Sequence, residues 1–115
     1  MNAYVIPGIK EFLFNDYLDI TKKVCEITKQ KEEDVIKRTR KRENVFTRQI
    51  CMSLAKLKMR RKVSLSDIGE NYGGYDHATV LHAMKTVKDI LDTDKNIRED
   101  IGYLFSGAKW PSFKN

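Results

Sequence analysis

Apolar side chains recur every three or four positions along most of the chain, which is the spacing of amphipathic α-helices rather than of strands. The first series predicts one long helix from Ile9 to Thr28, with an interruption near Asn15. A later series predicts another helix from Val45 to Met59. The apolar positions of these two helices are Leu13, Tyr17, Ile20, Val24 and Ile27 in the first, and Phe46, Ile50, Leu54 and Leu57 in the second. Between them, "KQKEEDVIKR" predicts a short helix and "TRKREN" a polar, basic loop.

The segment "SLSDIGENYGG" carries the start and stop signals of a short helix. Ser64 with Asp67 three residues later resembles a capping box, in which the hydroxyl accepts a hydrogen bond from a backbone amide of the first turn. Gly73 and Gly74 predict the end of the helix, because glycine adopts left-handed dihedrals at little steric cost. The segment therefore predicts a short helix followed by a turn.

A longer helix is predicted directly after this turn. Asp76 can cap it by accepting a hydrogen bond from the backbone amide of Ala78 or Thr79, and its apolar stripe extends to about Leu91. That stripe consists of Val80, Ala83, Met84, Val87 and Leu91. A last helix is predicted over roughly residues 94–105, and the segment "SGAKWPSFKN" after it is expected to be loosely held.

These elements indicate an all-α fold of a single domain with about six helices. A short capped helix, a glycine-containing turn and a longer helix in succession have the outline of a helix-turn-helix unit. Because any two helices joined by a glycine turn fit that outline, it does not define a function by itself.

Charge is distributed very unevenly along the chain. The net charge is +6 at pH 7, but the stretch from Lys37 to Lys62 holds eleven Lys or Arg residues against the single acid Glu43. That stretch therefore carries +10 and the rest of the chain −4. Such a segment is typical of polyanion binding, although a solvated basic face is the alternative. Nucleic acid is favoured over a membrane surface, because neither basic cluster, "KRTRKR" or "KLKMRRK", carries the broad apolar face of a membrane-binding helix.

Length and composition favour a small binding module. With 115 residues and 41% hydrophobic content, the chain is expected to form one domain with a single modest core. No apolar run approaches the roughly 20 residues that span a bilayer, and the start lacks the pattern of a secretory signal. Cys25 and Cys51 match no metal-ligand spacing. We therefore expect a cytoplasmic protein, associated with the nucleoid if it binds DNA.

The segment "GGYDHATVLHA" contains residue types that occur in metal and catalytic sites. His77 and His82 lie about 140° apart around a helix, so they cannot chelate one ion from the same face. Thr79 and His82 can meet, but nothing nearby supplies an oxyanion pocket. The glycines lack the spacing and the lysine of a phosphate-binding loop. We expect no metal, no nucleotide, no cofactor and no enzyme activity.

The same segment fits a helix that enters a DNA groove. Projection of the helix places Ala78, Thr79, His82, Lys85 and Thr86 opposite the apolar stripe. In a major groove, a methyl group contacts thymine, whereas Asp and His exchange hydrogen bonds with base edges. The alternative is that Asp76 is only a cap and that His82 is only a surface histidine.

The motifs of this region follow one another in the order of a known protein family. The segment "RQICMSLAKLKMRRKVSLSDIGENYGGYDHATVLHAMKTV" resembles the C-terminal DNA-binding domain of the bacterial replication initiator DnaA, whose pattern ends in G-G-R-D-H-[ST]-T-V-x-H-A. The resemblance covers roughly residues 20–105. The matching positions are Arg48-Gln49, Leu54-Ala55-Lys56, Ser64-Leu65, Ile68-Gly69, Gly73-Gly74, Asp76-His77, Thr79-Val80 and His82-Ala83. It implies a DnaA-like domain over residues 20–106, after an N-terminal extension (1–19) expected to be helical and before a tail (107–115).

The resemblance also implies binding of double-stranded DNA through the helix-turn-helix. Asp76, His77 and Thr79 would contact bases in the major groove, and the methyl group of Ala78 could contact a thymine. Arg40 would enter the adjacent minor groove. Backbone or auxiliary contacts are expected from Arg38, Arg42, Arg48, Gln49, Lys56, Arg60, Arg61, Lys62, Ser66, Tyr75 and Lys85.

Several positions depart from the family pattern. Tyr75 stands where the family has arginine, Ala78 replaces Ser or Thr, and Phe46-Thr47 replaces Arg-Pro. These departures bear on which DNA sequence is bound and leave the docking mode intact. No ATPase module is present in the 115 residues, so the chain is either an excised domain or a free-standing homologue. The initiating Met and the unfamiliar start favour a free-standing homologue, in a bacterial, phage or mobile-element setting.

Two kinds of function remain open from the sequence. The first is sequence-specific DNA binding in replication initiation, its regulation, or transcriptional control. The second is a non-catalytic adaptor or decoy that binds a protein partner through the N-terminal extension or the tail. The aromatic residues of that surface would be Tyr4, Phe12, Phe14 and Tyr17, or Trp110 and Phe113. RNA binding is less favoured, because no exposed aromatic pair suited to base stacking is evident.

Overall fold

A computed structural model of the protein describes residues 12–113. All named secondary-structure elements in this range are helices. The elements are α1 (Tyr17–Thr28), α2 (Glu32–Val35), α3 (Arg42–Lys58), α4 (Leu65–Asn71), α5 (His77–Thr93), α6 (Lys95–Ile101) and a 3-10 helix (Gly102–Phe105). The prediction of an all-α domain with about six helices is confirmed. None of these helices has the length and apolar character needed to cross a membrane.

The first helix begins later than its apolar spacing predicted. Asp16 caps α1, and its carboxylate accepts a hydrogen bond from the backbone amide of Asp19 at 2.8 Å. The predicted interruption near Asn15 agrees with this start, but the helix predicted before the interruption is absent from residues 12–15. The predicted start at Ile9, and most of the predicted N-terminal extension, lie outside the described residues.

An extended segment takes the place of that first helical stretch. Phe14 forms an isolated parallel bridge with Met59: its amide donates to the carbonyl of Lys58, and its carbonyl accepts from Arg60, both at 2.8 Å. Neighbouring side chains of an extended segment point to opposite sides. Phe14 is therefore buried (6% exposed), whereas Leu13, predicted on the buried stripe, is 42% exposed.

Helix α3 lies at the centre of the molecule. It begins at Arg42, so the last residues of the predicted loop "TRKREN" form its first turn. Both α1 and α5 pack against it, and Ile50 and Leu54 are fully buried as predicted. Because neighbours cover several sides of α3, it also buries polar residues, namely Asn44, Thr47, Arg48, Ser53 and Lys58.

The predicted caps of the helix-turn-helix are present. The Ser64 hydroxyl accepts a hydrogen bond from the amide of Asp67 at 3.0 Å. Gly73 and Gly74 both have positive φ, 119° and 81°, between α4 and α5. Asp76 then caps α5, and Val80, Met84, Val87 and Leu91 line its buried face as the spacing predicted.

The C-terminal segment is packed more closely than its composition suggested. The predicted last helix divides into α6 and a 3-10 turn. Beyond it, Trp110 stacks on Phe105 with ring centroids 5.3 Å apart. The ammonium of Lys58, which has no exposed surface, donates to the carbonyl of Ser106 at 2.6 Å. The expectation of a loosely held tail was therefore wrong for these residues.

Candidate nucleic-acid interface

The first turn of α5 presents a row of exposed side chains. Asp76, His77, Ala78 and Thr79 are all exposed, and the buried stripe begins only at Val80. The Asp76 carboxylate accepts from the amide of Thr79 at 2.9 Å. Hydrogen bonds from Thr79, chiefly from its backbone amide, lower the pKa of Asp76. The candidate base-reading residues of α5 thus project together from one capped helix end.

A close backbone contact fixes how α5 follows α4. A Cβ atom placed on Gly69 would lie 1.9 Å from the carbonyl oxygen of Tyr75. The carbonyl of Gly69 also accepts from the amides of Gly74 and Tyr75, both at 3.0 Å. The turn therefore crosses the end of α4 at a distance that only glycine allows. Sequence reasoning missed this role, although a glycine within a predicted helix is a signal for close backbone approach.

The predicted minor-groove element is a loop before α3. Arg38 and Arg40 are exposed in this loop, and the exposed Arg42 is the first residue of α3. The loop lies directly over the turn of the helix-turn-helix. A Cβ atom on Gly73 would be 3.2 Å from Cγ of Arg38 and 3.3 Å from the carbonyl oxygen of Ile36. The basic loop and the start of α5, 36 residues apart between Arg40 and Asp76, are thus neighbours in the fold.

Arg48, predicted to contact DNA, is only 5% exposed and lies behind the basic loop. Its guanidinium donates to the carbonyl of Val35 at 3.3 Å, of Lys37 at 2.6 Å and of Thr39 at 3.0 Å. Burial lowers its pKa. In this geometry Arg48 holds the loop through its side chain, and the DNA contact expected of it stays a prediction. A buried cation has too few sequence signals to be recognised, because its acceptors come from a separate segment.

Tyr75 fills the space between the loop and the turn. Its ring lies 4.6 Å from the guanidinium carbon of Arg38 and 5.1 Å from that of Arg48, measured to the ring centroid. These distances are within the range of cation–π contacts. Beside the stack is an open cavity of about 480 Å³, lined by Arg38, Thr39, Arg40, Val45, Arg48 and Tyr75.

A second basic group lies around the start of α4. Arg60, Arg61 and Lys62 are exposed in the connection between α3 and α4, and Ser66 is exposed in the first turn of α4. The Arg61 guanidinium lies 5.9 Å from the Tyr17 ring. Tyr17 in turn donates a hydrogen bond to Asp67, and so links α1 to α4.

The side chains of the other predicted DNA-contacting residues already contact groups within the protein. Lys56 is exposed but donates to the carbonyl of Val63 at 2.9 Å. Lys85 is half-buried and pairs with Asp89 at 3.1 Å, further along α5. Gln49 is half-buried and lines an apolar groove together with Phe46.

The fold and these exposed groups define a helix-turn-helix protein. The family model described as "Bacterial dnaA protein helix-turn-helix" matches residues 18–87, and the chain belongs to this family. The chromosomal replication initiator protein DnaA of Ehrlichia ruminantium (strain Gardel) is 45% identical over 85 residues, and that of Wolbachia pipientis wMel is 44% identical over 86. DnaA of Rickettsia rickettsii (strain Sheila Smith) is 42% identical over 86 residues.

These matches cover about three quarters of the chain, 74% to 75%, and only 18% of each relative. The resemblance that the sequence motifs indicated is confirmed. Because the chain spans less than a fifth of these relatives, only their helix-turn-helix region is compared, and not the activity of the whole proteins.

Proposed function

We propose that the protein binds double-stranded DNA sequence-specifically, in the context of replication initiation, without catalytic activity of its own. The observation that carries this proposal is the exposed, capped first turn of α5 beside an arginine-bearing loop. Asp76, His77, Ala78 and Thr79 then contact base edges in the major groove. Its place of action is the cytoplasm, at the nucleoid.

The charge distribution supports a second set of contacts. Arg40 enters the adjacent minor groove, where narrow A·T-rich segments attract arginine. Arg60, Arg61 and Lys62 bind phosphates beside the start of α4, which sets the register of the protein on the duplex. Family membership supports this docking mode. Because Tyr75 and Ala78 depart from the family pattern, the DNA sequence that is bound is expected to differ from that of the family. Selection from a randomised duplex pool identifies it.

The adaptor alternative has less support from the described residues. Phe14 is buried, Phe12 packs on Tyr103 with ring centroids 5.4 Å apart, and Trp110 stacks on Phe105. These rings serve the core and do not form an open aromatic surface. Tyr4 lies outside the described residues. A salt titration against a random duplex separates the two functions, because an adaptor should show little affinity even at low salt.

Replacing Thr79 with alanine is expected to weaken specific DNA binding by about 1–3 kcal/mol and to leave nonspecific binding unchanged. The hydroxyl is exposed in the first turn of α5, and the capping amide of Thr79 is retained in the variant. Affinity for the selected site and for a random duplex is measured by fluorescence anisotropy. Thr93→Ala, an exposed threonine at the opposite end of α5, is the control and should bind normally. Equal losses for both duplexes would contradict a base-reading role.

Replacing Arg60 with alanine is expected to lower affinity for every DNA sequence and to reduce the slope of log K against log salt by about one unit. The side chain is exposed, and only its backbone amide bonds to Phe14. Binding is measured between low and physiological salt. Lys95→Ala removes the same charge from the start of α6 and should leave the slope unchanged. A wild-type slope in Arg60→Ala would mean that Arg60 touches no phosphate.

A further inference from the structure

We propose that Tyr75 is a positioning residue that locks the basic loop to the start of α5, so that the minor-groove and major-groove contacts are made as one rigid unit. The inference rests on the proposed DNA-binding function and adds a coupling between its two parts. It assigns Tyr75 a role inside the protein, in place of the auxiliary DNA contact expected from the sequence.

Two cations from other segments lie over the ring of Tyr75. Arg38 belongs to the basic loop, and Arg48 belongs to α3, whereas Tyr75 immediately precedes the cap residue Asp76. One aromatic ring therefore contacts the loop, the central helix and the turn before α5. A cation–π contact of this kind contributes about 0.5–1 kcal/mol at a partly exposed site.

The two arginines differ in what they hold. Arg48 is buried, and its three hydrogen bonds to carbonyls of residues 35, 37 and 39 fix the course of the loop. Arg38 is exposed, so its stacking on Tyr75 ties the outer side of the same loop to the turn. Arg40 lies two residues beyond Arg38, between Thr39 and the start of α3. Its position is therefore set from both ends.

Gly73 allows this close approach of loop and turn. Its Cβ position would lie 3.1 Å from Cε2 of Tyr75 and 3.2 Å from Cγ of Arg38. With φ of 119°, this residue adopts a backbone conformation that side-chain-bearing residues rarely take. The loop and the turn are therefore packed against each other before any DNA is bound. Such preorganisation removes an ordering cost that would otherwise reduce affinity.

The test compares which base positions each variant ceases to discriminate in a selection from a randomised duplex pool. Arg40→Ala defines the positions that depend on the loop, and Thr79→Ala defines those that depend on α5. Tyr75→Leu is expected to lower discrimination at the Arg40-dependent positions by about two- to five-fold, the fold-change that 0.5–1 kcal/mol corresponds to. Discrimination at the Thr79-dependent positions should remain.

Tyr75→Phe is the matched control, because it keeps the ring and removes only the hydroxyl, and it should select the wild-type site. Arg38→Gln removes the cation that the loop places over the Tyr75 ring. Because Arg38 is exposed, this change tests the same contact without disturbing the buried core. It should reduce discrimination at the same positions as Tyr75→Leu. Adding Tyr75→Leu to Arg38→Gln should bring little further loss at these positions, because either change breaks the same contact.

The outcomes separate the two proposals. If the wild-type protein selects no site, the proposed function is wrong. If it selects a site, but both Tyr75→Leu and Arg38→Gln retain full discrimination at the Arg40-dependent positions, the coupling through Tyr75 is wrong. A third result also overturns the coupling: Tyr75→Leu loses base discrimination at all positions, and Arg38→Gln retains it fully. That result indicates damage to α5 alone.

Discussion

Alanine at Gly69 is expected to lower the free energy of unfolding by about 2–3 kcal/mol, the upper part of the range of about 1–3 kcal/mol for overpacked sites. In an exposed helix the same change would stabilise by about 1 kcal/mol, because alanine is the better helix former. Here the new Cβ atom would lie 1.9 Å from the carbonyl oxygen of Tyr75 and 3.2 Å from Cγ2 of Val80. Relieving the first contact moves the turn by about 1 Å or more. Such a displacement misplaces the first turn of α5, so specific DNA affinity should fall about tenfold or more.

Gly74→Ala is the matched control for this prediction. Gly74 lies in the same turn with φ of 81°, but no atom lies within 4 Å of its Cβ position. Its replacement costs only the left-handed conformation, about 1 kcal/mol. Urea denaturation of both variants, followed by binding to the selected duplex, measures the difference. If Gly69→Ala lost no more stability than Gly74→Ala, the turn would accommodate the new Cβ atom at little cost, and the prediction would be wrong.

The helix-turn-helix was the most predictable part of the fold because its signals are local. Ser64 and Asp76 cap helices in the structure as their sequence context predicted. The two glycines at the turn have the positive φ that ends α4. Caps and glycine turns depend on residues three or four positions away, so one sequence contains all the information that they need.

The errors occurred where a distant segment decides the local structure. Periodicity placed Leu13 on a helix, but pairing of Phe14 with Met59 makes that segment extended. That partner is 45 residues away in the sequence and leaves no local signal. The tail was misjudged in part for the same reason, because Ser106 accepts a hydrogen bond from Lys58, 48 residues earlier.

The candidate site was predictable as a set of residue types but not as an arrangement. The exposed residues of α5 and the arginines of the loop follow from the family pattern and the helical projection, and their contacts with DNA remain predictions. The pattern also placed Arg48 among the expected DNA contacts, because Arg48-Gln49 matches a polar motif of the family. Its burial depends on three main-chain acceptors at residues 35–39, which only the folded chain brings together.

Replacing Arg48 with methionine is expected to weaken specific DNA binding by about 2 kcal/mol or more while the protein remains folded. Methionine is similar in length and apolar, but it cannot donate to the three carbonyls that Arg48 now satisfies. Water can reach the carbonyls of Lys37 and Thr39, which are only partly buried, so we expect the free energy of unfolding to fall by only about 1–2 kcal/mol. The loop then loses its fixed course. Ordering a residue costs about 1–2 kcal/mol of backbone entropy, and the variant would lose that free energy on binding.

Arg98→Met is the matched control, because Arg98 also donates to main-chain carbonyls, those of Leu91 at 3.0 Å and Asp92 at 3.3 Å. It lies at the far end of α5 from Asp76, and the substitution removes the same charge. Both variants should lose comparable stability in thermal unfolding, but only Arg48→Met should lose specific affinity. Hydrogen exchange should rise at the amides of residues 36–41 in Arg48→Met alone. If the two variants bound DNA equally well, the hydrogen bonds from Arg48 to the loop would contribute nothing to recognition.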